Sequence, residues 1–129
     1  MTAFHEIWIE QCEAALAIRE RFGLPKALGY LVGEKLLNFV RAAEEDKAFA
    51  AELPSFVARV RELFAPHELR EYLDSVRRIG AMGHVMDDET HALARAAGMF
   101  SENVVRAAED VQRMGRIREL LLGDADSSG

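Results

Sequence analysis

With 129 residues, half of them apolar, the chain has the length of one domain and enough hydrophobic material to bury a core without a disulfide or metal staple, which excludes wholesale disorder. Its 22 acidic and 16 basic residues give a formal net charge of −6 with the two signs interleaved, so a basic surface for nonspecific nucleic-acid binding is disfavoured. Cys12 has no second cysteine to pair with, the apolar runs are far too short to span a membrane, and MTAFHEIWIEQ lacks the regions of a signal peptide; a cytoplasmic protein with no membrane contact is expected.

Strict apolar–polar alternation is missing from every window, whereas steps of three and four recur throughout, which predicts an all-α chain. In residues 3–22, Phe4, Ile7, Trp8, Cys12, Ala15, Ile18 and Phe22 mark the first helix, and Gly23 with Pro25 ends it and starts the next. The second helix is expected over about 25–45. Asp46 is placed as the cap of a short third helix to Leu53, with Pro54 opening or kinking a fourth whose core stripe is Phe56, Val57, Val60, Leu63 and Phe64. After Pro66, Leu69, Tyr72, Leu73, Val76 and Ile79 share a face, and the glycines of RRIGAMG close that helix. A short helix from about Asp88 to Ala97 stops at Gly98. Ser101 is expected to cap a last long helix to Leu122, and GDADSSG is a polar tail expected to be disordered. The resulting expectation is a compact single-domain bundle of about five to seven helices over residues 1–122, with residues 123–129 as tail.

At about 100° per residue, the second helix is apolar over roughly two-thirds of its circumference, leaving Tyr30, Glu34, Asn38 and Arg41 as a narrow polar strip. So greasy a helix has to be surrounded, which makes it the centre of the fold. Gly29 and Gly33, one turn apart on it, are expected to admit a neighbouring helix at close range. The first and last helices carry more apolar residues than one core face needs: Ile9 and Leu16 lie beyond the arc centred on Trp8, and Ile117 and Leu120 point in different directions. That surplus marks Ile9, Leu16, Ile117 and Leu120 as candidate interaction residues.

The densest run of chemically versatile side chains is GHVMDDETH. On a continuous helix, His84, Asp88 and His91 could converge on a zinc or iron ion. Gly80 and Gly83 instead favour a loop at His84, and Asp87 or Asp88 suits the cap of the following helix, so capping is the preferred reading, with no cofactor. Glu10 and Glu13, with Glu68, Glu71 and Asp74, have a spacing similar to the magnesium-binding carboxylates of all-α nucleotide pyrophosphohydrolases. Their helical positions oppose the core stripes, however, and favour a solvated face. A helix-turn-helix drawn across Ala65–Pro66 would put Glu68, Glu71 and Asp74 against phosphate, and Cys12 on its apolar arc has no activating base nearby.

Gln11-Cys12, Phe22-Gly23 and Gly33-Glu34-Lys35, within WIEQCEAA and RFGLPKALGYLVGEKLLNFV, give the first half of the chain a pattern that resembles a group of small uncharacterised bacterial proteins. The resemblance implies a bacterial source and carries no activity. The functional expectation is a noncatalytic protein-interaction or regulatory module that binds a protein partner or itself. The alternatives are an acidic decoy that occupies the basic groove of a nucleic-acid-handling protein, and a metal protein using His84, Asp88 and His91.

Overall fold

The computed structural model describes residues 3–82 and 88–123, and among them there is no strand: the chain is an all-α bundle. Helix α1 runs Ala3–Phe22 and ends at Gly23, whose φ of 100° lies where a side chain would be strained. Helix α2, Leu24–Tyr30, has Pro25 in its first turn, where a missing N–H costs nothing. It continues through a π-helical segment, Leu31–Leu36, into α3, Leu37–Glu45. The backbone at Tyr30, Leu31, Leu36 and Leu37 remains right-handed helical, so these pieces form one rod that matches the span expected for the central helix.

Asp46 starts α4, Lys47–Leu63, its carboxylate accepting from the Ala48 N–H at 2.8 Å. The proline at position 54 does not divide this segment as expected; it sits inside one continuous helix. Pro54 is exposed, while Leu53, Phe56 and Val57 beside it are buried, so packing holds the helix across the missing hydrogen bond. Helix α5, Pro66–Met82, is opened by Glu68, which accepts from the Ala65 N–H at 2.9 Å, and it runs through Gly80 and ends at Met82, within RRIGAMG as expected. Helix α6 spans Asp88–Ala96, and Gly98, at φ 80°, turns the chain against Pro25.

The single last helix expected from Ser101 is in fact two, α7 at Ser101–Glu109 and α8 at Val111–Leu122, and Phe100, not Ser101, occupies the cap position. Asp110 makes the break: its backbone leaves the helical region, and its side chain accepts from the Arg113 N–H at 3.3 Å to start α8. Gly123, at φ 74°, closes α8; the tail beyond it lies outside the described residues.

The rod is enclosed as its composition requires: α1, α4, α5, α7 and α8 all pack against one or another part of it. Leu28, Leu31, Val32, Leu36, Leu37 and Val40 are at most 1% exposed. On one side an aromatic cluster joins three elements, with Trp8 stacked on Phe56 at 5.9 Å between centroids and Phe39 edge-on to Phe56 at 5.2 Å and to Phe49 at 5.0 Å. The indole N–H of Trp8 donates to Glu52 at 3.1 Å, so its one polar atom is satisfied.

On the other side the two glycines let α7 and α5 close in. A Cβ on Gly29 would lie 3.1 Å from Asn103 Oδ1, and one on Gly33 would collide with the Tyr72 hydroxyl. Gly33→Leu is therefore expected to destabilise by about 1–3 kcal/mol in denaturant melts through overpacking, whereas at an exposed position the better helix propensity would stabilise by roughly 0.5–1 kcal/mol. A stabilised variant would show that this face does not abut α5 and α7.

Candidate functional site

The polar strip is only partly a solvent strip. Asn38 and Arg41 are exposed, but Tyr30 and Glu34 are half-buried. Glu34 accepts from Asn103 Nδ2 at 3.2 Å and pairs with Lys35 at 3.0 Å. The π segment accounts for this placement: its wider turn carries more residues, so each advances the helix by a smaller angle, and Glu34 is rotated toward α7. Burial acts to raise the Glu34 carboxyl. The hydrogen bond and charge of Lys35, the bond from Asn103 and the charge of Arg106 outweigh it and hold the group below its ordinary value. Lys35 also lies 5.4 Å from the Tyr30 ring on the same rod, and the bond from Asn103 on α7 makes the strip a seam between helices.

Beside the seam, Tyr72 is 3% exposed and, among the described residues, its hydroxyl has no hydrogen-bond partner; burial pushes its pKa well up. The sequence placed Tyr72 on the core stripe of its helix, and nothing in the pattern revealed that Asn103 would be the polar residue facing Gly29 and Gly33.

Arg41 belongs to a second polar group, at the α7–α8 junction. It reaches Asp110 at 2.9 Å; Arg113 pairs with Asp110 at 3.0 Å and with Glu44 at 2.7 Å. Arg113's hydrogen bond is the main cause of a lowered Glu44 pKa. At Asp110 burial acts upward, but the bonds from Arg113 and Arg41 prevail and lower the value.

The four candidate interaction residues are scattered. Ile117 is 0% exposed and belongs to the core, so its apparent surplus is internal; α8 is enclosed more completely than its own periodicity showed. Ile9 and Leu120 are partly buried and packed against that core, and Leu16 is half-buried. Of the metal candidates, Asp88 opens α6 and is exposed, His91 is half-buried on the same helix, and His84 lies outside the described residues. Among the described residues no group of three potential ligands comes together. The acidic residues do not act as one field: Glu10, Glu13 and Glu71 are exposed, but Asp74 accepts from Arg118 at 2.7 Å and Arg77 at 3.5 Å. The Cys12 thiol is buried, and that burial chiefly pushes its pKa up to about 11, partly countered by the charge of Arg59, so it is a thiol and not a thiolate near neutrality.

Two surface features were not visible in the helical periodicities. The first is a groove of about 350 Å³ between α5 and α8, floored by α7 and walled by Leu73, Val76, Ala107, Val111 and Met114, in which the lining charges are Arg77 and Arg118. Val111, on its lip, is 74% exposed. The second is an edge-on pair of exposed rings, Phe22 and Phe100, 6.4 Å apart, with the Lys26 ammonium 5.8 and 5.2 Å from their centroids. Among the described residues no helix is long and apolar enough to cross a membrane.

Glu34→Ala deprives buried Asn103 of its acceptor and is expected to cost about 1–2 kcal/mol in denaturant melts, where a solvent-strip residue would change stability by less than about 0.5 kcal/mol. Asp110→Ala, which loses both a helix cap and two ion pairs, is expected to cost about 1–2 kcal/mol, and Asp110→Asn, which keeps a capping oxygen, less than about 1 kcal/mol. Because the native carboxyl of Asp110 is held below its unfolded value, its ionic contribution is complete above the unfolded pKa and is lost as pH falls through the lower native one. The gap between wild type and Asp110→Asn should therefore close in melts at progressively more acid pH; a gap that widens would contradict the pairing. Comparison with protein-family models, with curated proteins and with solved structures finds no match to the chain.

Proposed function

We propose that the chain is a noncatalytic protein-interaction module that receives an amphipathic helix in the groove between α5 and α8. The observation that carries this reading is the apolar groove itself, about 350 Å³ with Leu73, Val76 and Met114 in its walls and Val111 exposed on its lip. A channel between two helices fits the side of a third, whose apolar residues at three- and four-residue steps would contact Leu73, Val76 and Met114. The two arginines that line it, Arg77 and Arg118, are both engaged by Asp74, so what the groove offers a partner is apolar contact. The raised pKa of buried Cys12 supports a noncatalytic role for that residue.

A photo-crosslinking side chain at position 111, expressed in cells of the source organism, tests this directly. One discrete adduct is expected from position 111 and none from exposed Ala58 on α4, and Gly115→Glu, at an exposed groove position where a Cβ meets nothing within 4 Å, should abolish the adduct while leaving the melt of the protein near that of wild type. No adduct at 111, or adducts at 111 and 58 alike, would overturn the groove as the binding surface.

A further inference from the structure

We draw no further inference here: the strongest candidate, the exposed aromatic patch of Phe22 and Phe100 where the end of α1 meets the start of α7, with Lys26 beside both rings, carries nothing because nothing in the structure shows what covers it.

Discussion

The rest of the architecture depends on enclosing one helical rod. From Leu24 to Glu45 the chain carries apolar side chains over most of its circumference, and leaving them in water would cost roughly 1.5–3 kcal/mol for each large residue. Five other helices are therefore drawn onto it, and the order in which they arrive along the chain matters less than the faces they must cover. Enclosure needs close approach as well as attraction. Gly29 and Gly33 provide it on the side of α5 and α7, where any side chain would meet Asn103 or Tyr72.

Much of this was legible in the residues. The span of the rod, its central position, the close-packed glycines and the cap at Asp46 all follow from periodicity and local stereochemistry, because those features repeat within a few residues. What escaped was set by contacts between distant residues or by small rotations. A proline at position 54 reads as a boundary until the buried Leu53, Phe56 and Val57 are seen to hold the helix through it. Asp110 reads as one more surface acid until its bonds to Arg41 and Arg113 show a corner between two helices. No pattern of sixteen or twenty residues announces a π segment, and that segment turns Glu34 from the solvent side toward Asn103. Ile117 is a like case, surplus to its own helix but not to the assembled core.

The surface that remains is unevenly divided. Among the described residues its apolar parts include the groove between α5 and α8 and, at the end of α1, exposed Phe22, whereas most acids stand exposed or are balanced by a neighbouring arginine. Both apolar regions lie along helices, and helices are rigid enough to present a surface without first losing conformational entropy. Preorganisation of that kind lowers the entropic cost of any contact made there.

The bonds from α7 and α8 back to the rod share one number: Asn103 with Glu34, Asp110 with Arg41, and Arg113 with Glu44 are each 69 positions apart in the chain. Contacts of that span form only after a long loop has closed, and the entropy of closing it is lost before they contribute. Interactions absent from the folding transition state act on the rate of opening and leave the rate of folding almost untouched. The shared separation also fixes register: a slip of α7 and α8 by one residue along the rod would break all three bonds together, so they hold the C-terminal helices to one alignment.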